Sequence, residues 1–342
     1  MQDKEKGGYL MNLDALINKI YATVENHKLS APGEYARWLW QNAKGNRKMG
    51  NNEYGCADAA NILYIIGKFP GDTETREACI KAMQDFQNPE DGLFYEGTHH
   101  THHTTAHVTA ALELFDAQPK YPIKAFEQYL VKENLEAHLE SLNWLHSPWD
   151  AAHSGAGIYA AMIITGKASP EWQDWYFGWL ENKTDPEWGM SYKDTIQNGD
   201  AEPYKHLYGW FHYLFNFNFA HRPFPQAKKL IDSCIHMYRN NMMNLGFGAE
   251  VTFPEIDWVF ALNRAAMQTG YRFDESRELL RDFANKYIPY LENIDTATHE
   301  NWNDLHMLFG AACAVAELQI ALPGEIKSAY PLKQILDRRP FI

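Results

Sequence analysis

Five histidines crowd one stretch of the chain, 98–107 (Thr-His-His-Thr-His-His-Thr-Thr-Ala-His), and imidazole is the side chain that exchanges protons near neutral pH. His99, His103 and His107 stand at i, i+4 and i+8, so they share one face of any helix that begins early enough. That spacing also suits metal ligation, but no His-Glu-x-x-His is present and a completing carboxylate has to come from another part of the chain. Polar binding or general acid–base work ranks first for these histidines, structural hydrogen bonding second and metal binding last. No metal and no cofactor is expected.

Further groups suited to chemistry recur at wide, regular intervals. They are Tyr54 and Asp58, Trp149, Asp150 and His153, Tyr204, His206 and Trp210, Glu255, Asp257 and Trp258, and finally Trp302 and Asp304. Two of the carboxylates have an ordinary alternative. Ser147-Pro-Trp-Asp150 and Thr252-Phe-Pro-Glu255 both have capping-box form, with a hydroxyl at the cap, proline just inside and a carboxylate three residues on. Asp304 also reads as the end of a cap. A carboxylate with no capping duty is the better catalyst, so Asp58 and Asp257 lead the catalytic set, with Asp150 and His103 behind them. Tyr54, His107, Trp149, His153, Tyr204, His206, Trp210, Glu255, Trp258, Trp302 and Asp304 are expected to bind substrate.

Helices have to position all of these. Apolar residues recur with helical period along the chain, and strand-like alternation is nearly absent. One kind of segment has a charged face (73–86, 122–142, 170–181, 225–241, 274–290); the other is apolar or small on every side (57–67, 104–115, 149–165, 204–217, 255–270, 301–321). The kinds alternate with a repeat of about 50 residues, the mark of a supersecondary unit that needs neighbours to cover its apolar face. Gly67, Gly166 and Gly270 sit where three of the buried helices should end. The expected fold is all-α, an (α/α)6 toroid of six hairpins with inner and outer helix rings. It forms one domain over 1–342, with an N-terminal helix within 1–30 and a tail over 325–342 packed on it. Segment 331–342 has no place in the hairpin count and is expected across the ring's outer face or against a partner subunit. The starts of the inner helices, each carrying about half a positive charge of helix dipole, would then converge on one mouth.

Composition narrows the function. The chain is 45% hydrophobic and 22% charged, as a protein with a large core is, and its formal net charge of −13 repels nucleic acid and anionic lipid. No apolar run approaches the roughly 18 residues of a membrane span. Four widely spaced cysteines with no CxxC pair argue for a reducing compartment, and a cytoplasmic location is expected.

Stretch 83–94 (Met-Gln-Asp-Phe-Gln-Asn-Pro-Glu-Asp-Gly-Leu-Phe) and its relative 179–192 (Trp-Leu-Glu-Asn-Lys-Thr-Asp-Pro-Glu-Trp-Gly-Met-Ser-Tyr) resemble the Q-x(2-5)-G-x-F/W repeat of terpenoid cyclase and protein prenyltransferase toroids, and 244–250 is a weaker copy. The resemblance implies architecture rather than activity, because six-hairpin toroids also carry glycoside hydrolases, polysaccharide lyases and sugar epimerases. The Asp-x-Asp-Asp acid motif of cyclases is absent, and only a reversed Cys56-Ala-Asp58 stands where the prenyltransferase pattern has Asp-x-Cys. An aromatic share of 14%, mixed at the helix starts with His, Asp, Glu and Asn, suits a sugar better than a hydrocarbon cation. The expected function is glycoside hydrolysis by a carboxylate pair. Three alternatives stand beside it: a polysaccharide lyase using Tyr54, His103, Tyr204 and His206, an isoprenoid enzyme, and a non-enzymatic binder of glycan or protein. The expected partner is a small-molecule or oligosaccharide substrate, with a homo-oligomer left open.

Overall fold

A computed structural model describes residues 10–341; the first nine residues of the N-terminal segment, and Ile342, lie outside the described residues. The protein is mainly α-helical. After a two-residue strand β1 (Met11–Asn12), helix α1 (Asp14–His27) leads through a long loop to α2 (Glu53–Ile65), α3 (Thr73–Gln84) and α4 (Thr101–Glu113). A short α5 (Lys124–Glu127) and α6 (Lys132–Ser141) follow, then α7 (Pro148–Ile164), α8 (Pro170–Lys183), the single turn α9 (Thr195–Asn198) and α10 (Pro203–Phe219). The chain ends with α11 (Ala227–Arg239), α12 (Pro254–Thr269), α13 (Phe273–Asn293), α14 (Leu305–Ala321), strand β2 (Ile326–Lys327) and α15 (Ile335–Arg338). No described helix is long and apolar enough to cross a membrane.

The six apolar segments become α2, α4, α7, α10, α12 and α14. Each packs on the next in that order, and α14 packs back on α2. Their all-round burial follows from composition: in α14 only three of seventeen residues escape full burial, and none of the apolar helices has a charged face to offer solvent. The amphipathic helices α3, α11 and α13 pack against these apolar helices, and α1 packs on α2, α13 and α14. Inner helices approach closely where they carry glycine. A Cβ on Gly157 of α7 would stand 2.7 Å from the His102 carbonyl oxygen, and one on Gly209 of α10 would stand 2.5 Å from that of Pro148. These two contacts draw the entry of α4 toward α7, and the entry of α7 toward α10.

Polar side chains cap several helix starts, though not α7 or α12. Asn52 caps α2 by accepting from the Tyr54 and Gly55 amides, Asp72 caps α3, Ser169 caps α8 and Asp304 caps α14. Gly67, Gly166 and Gly270 take positive φ just past three inner helices. In the repeated loops Gln87 ties neighbouring segments together, its amide donating to the Gly92 and Tyr121 carbonyls and accepting from the Tyr121 amide. The same backbone turn recurs in the second copy, where Gly92 N to Asn88 O becomes Gly189 N to Asp185 O.

One expected outer helix is not continuous. Segment 122–142 divides into α5, a 3-10 turn over Gln128–Leu130 and α6, because β-branched Val131 is extended (φ −82°, ψ 116°), and the Asn134 amide satisfies the Gln128 carbonyl at the break. The C-terminal tail packs on the helical body. It runs along the C-terminal parts of the apolar helices: Lys333 N donates to Ile65 O, Gln334 to Ala316 O, Asn216 to Pro340 O, and Asp337 pairs with Arg264. Its last described residue, Phe341, is fully buried against His103, His212 and Phe215.

Candidate functional site

The first turns of α4, α7, α12 and α14 and the third turn of α10 surround a cavity of about 290 Å³. His99, His103, His153, His212 and His306 form its imidazole wall; Trp149, Phe253, Pro254 and Met307 its apolar wall; Asn244 and Thr252 complete it. No Asp, Glu, Lys or Arg is among these residues. Trp149, 38% exposed, stands at the mouth with its edge toward His153.

Helical register produces the expected stack. His99, His103 and His107 lie one above another, and the Tyr54 ring stacks on His99 and on His107 at centroid distances of 4.8 Å. The other face of Tyr54 meets the Arg37 guanidinium, 5.1 Å from the ring centroid. Arg37 is itself held by both oxygens of Asp304 and by the Thr98 hydroxyl. The Tyr54 hydroxyl is 2.8 Å from His103 Nδ1.

Asp58 is fully buried beside the cavity wall, between two imidazoles. Its Oδ1 accepts from His107 Nε2 at 2.8 Å and its Oδ2 from His306 Nδ1 at 3.1 Å. Burial alone would raise the carboxyl, but the two imidazoles outweigh it and hold Asp58 below the ordinary carboxylate range. Because Asp58 takes the Nδ1 proton of His306, the lone pair of that ring is on Nε2. Burial, reinforced by the neighbouring imidazoles, pushes His99, His103 and His153 well below the usual imidazole range. Burial takes His212 down to about 4, with the Tyr208 and Gly209 carbonyls opposing.

The other expected site residues have different surroundings. Asp257 is buried with no hydrogen-bond partner for either oxygen, and burial raises its carboxyl well above the ordinary range. It does not line the cavity. Asp150 is exposed and accepts from the Ser147 hydroxyl, which makes no cap bond to the helix backbone, so the expected capping box is not formed. His206 binds Ser191 Oγ at 2.8 Å, while Tyr204 packs on Tyr208. Trp210, Trp258 and Trp302 are core residues: Trp258 donates to Cys234 O, and Trp302 to the Thr23 hydroxyl of α1. Reading helix starts alone misses His212, which lies in the third turn of α10. It also passes over Phe253, Asn244, Met307 and the supporting Arg37.

Glu255 does not form the expected capping box: the α12 cap position falls on Phe253 with no side-chain hydrogen bond, and the carboxylate accepts instead from the Thr252 hydroxyl at 2.6 Å and the Gly248 amide at 3.0 Å. Burial lifts its carboxyl from 4.5 to about 6 against those two hydrogen bonds. The folded state therefore binds this proton more tightly than the unfolded state. Its stability contribution is complete below the unfolded value and is lost as the pH rises through about 6, a change of about 2 kcal/mol. Glu255→Gln should remove that slope from urea midpoints measured between about pH 4 and pH 7; an unchanged slope would assign it to other groups.

A larger depression of about 580 Å³ lies on the surface between α11 and α13, but its charged groups are engaged, Asp282 with Lys286 and Arg239 with Glu275. Proton-transfer groups converge in the smaller cavity. No protein-family model, no curated protein and no solved structure matches this chain.

Proposed function

We propose that the chain is a carbohydrate-active enzyme working by imidazole acid–base chemistry in the cavity between Trp149 and Phe253. The observation that carries this reading is His306, oriented by the buried Asp58 and reaching the same small space as four other histidines. A cavity of about 290 Å³ is at the small end of ligand sites, so it suits a small ligand or the end group of a longer one. Trp149 and Phe253 offer flat faces for the apolar side of a sugar ring, and Asn244 and Thr252 offer hydrogen bonds to hydroxyls.

Between the two carbohydrate chemistries, the lining favours elimination over hydrolysis by a carboxylate pair, because no carboxylate lines the cavity and Asp58 is engaged on both oxygens. In elimination His306 Nε2 takes the proton next to a uronate carboxylate. The C–H electron pair becomes the new C=C bond as the bond to the glycosidic oxygen breaks. The imidazolium then returns its proton to the departing oxygen, and no water is consumed. The cyclic contact order of the inner helices, with helix starts around the cavity and the tail at the opposite ends, supports reading the fold as an (α/α)6 toroid. An isoprenoid diphosphate finds no Lys or Arg in the lining.

The test is a side-by-side screen of uronate-containing oligosaccharides, neutral oligosaccharides and isoprenoid diphosphates, with ultraviolet absorbance reporting the new conjugated alkene. A uronate-containing oligosaccharide should be cleaved, and His306→Gln, whose amide can still donate to Asp58, should lower turnover by about 10²–10⁴ while the protein still melts cooperatively. Tight binding of an isoprenoid diphosphate alone, or full turnover by His306→Gln, would overturn the reading.

A further inference from the structure

We infer that His103, His153 and His212 form a binding site for one divalent transition-metal ion of the zinc type, with its open coordination position facing the cavity. The three residues come from the consecutive inner helices α4, α7 and α10. They are 3%, 7% and 5% exposed, and each offers a nitrogen within 4.8 Å of the other two. A tetrahedral ion about 2.0–2.1 Å from each nitrogen needs nitrogens about 3.3 Å apart.

The far side of the site is built as a ligand set requires. His103 Nδ1 is engaged by the Tyr54 hydroxyl, and His212 Nδ1 lies 3.1 and 3.2 Å from the Tyr208 and Gly209 carbonyls. The two carbonyls require a proton on His212 Nδ1 and leave the lone pair on its Nε2, and the Tyr54 hydroxyl occupies Nδ1 of His103 so that its Nε2 is the unengaged nitrogen, which is how outer-shell partners orient metal-ligating histidines. His153 makes no hydrogen bond among the described residues, so both its nitrogens are available. Phe341 covers His103 and His212 from below, leaving the cavity as the route of entry. Three neutral nitrogens with no thiolate or carboxylate suit Zn²⁺ and its neighbours and not Ca²⁺ or Mg²⁺. The second acid–imidazole cluster differs, because in Asp58, His107 and His306 the facing atoms already bond to one another.

The role of the ion, though not the site, rests on the function proposed above. Elimination next to a carboxylate needs a positive charge to stabilise the developing carbanion, and the lining contains no Lys or Arg. A cation at the open position would bind the uronate carboxylate and supply that charge.

The full chain, treated with chelator, is titrated with Zn²⁺ and separately with Co²⁺. One equivalent should bind, with the intense visible bands of tetrahedral cobalt. His153→Gln and His212→Gln should each weaken uptake by about 100-fold or more, and Tyr54→Phe, which keeps all three ligands, by about 10-fold. The site is overturned if the parent takes up no stoichiometric ion, or if both glutamine variants and Tyr54→Phe bind as the parent does. Stoichiometric binding with turnover unaffected by chelator would overturn only the catalytic role, whereas full turnover by His306→Gln counts against the imidazole mechanism and not against the ion.

Discussion

Replacing Asp58 with alanine is expected to lower the melting temperature by about 4–7 °C, the equivalent of about 3–5 kcal/mol in a chain of this length. The magnitude follows from what the change leaves behind. His107 Nε2–H and His306 Nδ1–H both point at Asp58, neither reaches water, and His107 Nδ1 already lacks a partner. Alanine removes both acceptors and opens a void, and buried donors deprived of a partner lose the full desolvation term. Asp58→Asn separates stability from function. Its single amide oxygen still accepts from one imidazole, so the melt should fall less, but its NH2 group faces the other ring and favours the wrong tautomer. An equivalent exchange behind a catalytic histidine lowers turnover by about 10⁴, and a loss of about 10²–10⁴ is expected here. Thermal melts and steady-state rates on whichever oligosaccharide is turned over separate the two effects. An alanine variant that melts with the parent would show that the pair does not hold these helices, and an asparagine variant with parental rates would remove Asp58 from the mechanism.

The same residue shows what is legible in the sequence and what is not. Asp58 stands out there because it lies on an apolar helix with no capping duty, and it is buried at a junction of three inner helices. Its neighbours cannot be read from spacing, since His306 is 248 positions away. Helix type is legible for α2, α4, α7, α10, α12 and α14 because each is apolar or small on every face, and a proline at the first helical position marks the starts of α7 and α12 although neither expected capping box forms. The break at Val131 is not, because the flanking residues keep a helical apolar pattern across it. The i, i+4, i+8 histidines are legible as a stack, yet the stack is not the ligand set. Only His103 turns toward His153 and His212, and His212 is hidden among the aromatic residues of α10, where a core reading accounts for every neighbour. Asp257 resembles Asp58 in the sequence but meets no imidazole in the fold. Partners across the chain, which periodicity does not encode, separate the two carboxylates.

The tail escapes sequence reading for a related reason. Segment 331–341 is too short to show a period, yet Leu332, Ile335, Leu336 and Phe341 are all buried. Burying four such side chains contributes about 6–12 kcal/mol, an upper value because an unfolded chain already hides part of its apolar surface. Set against a typical total stability of about 5–15 kcal/mol, ending the chain after Tyr330 is expected to abolish cooperative folding. The tail also accepts a cost. Arg339 is fully buried, with only Nη1 bonded, to the Phe341 carbonyl, and burial lowers its guanidinium to about 10. A segment that retains such a cation has to gain more from its apolar contacts than it loses. The truncated chain should bind a hydrophobic dye, give a broad urea transition and be cut readily by protease between the inner helices. The milder Phe341→Ala should lose about 3–5 kcal/mol while remaining folded. Because Phe341 packs on His103 and His212, it should also loosen the two imidazoles from below and weaken any ligand that needs them held together. A truncated chain with a sharp transition near the parental midpoint would instead mean that the inner helices are closed without their tail, and that Phe341 only fills space beneath a wall that stands unaided.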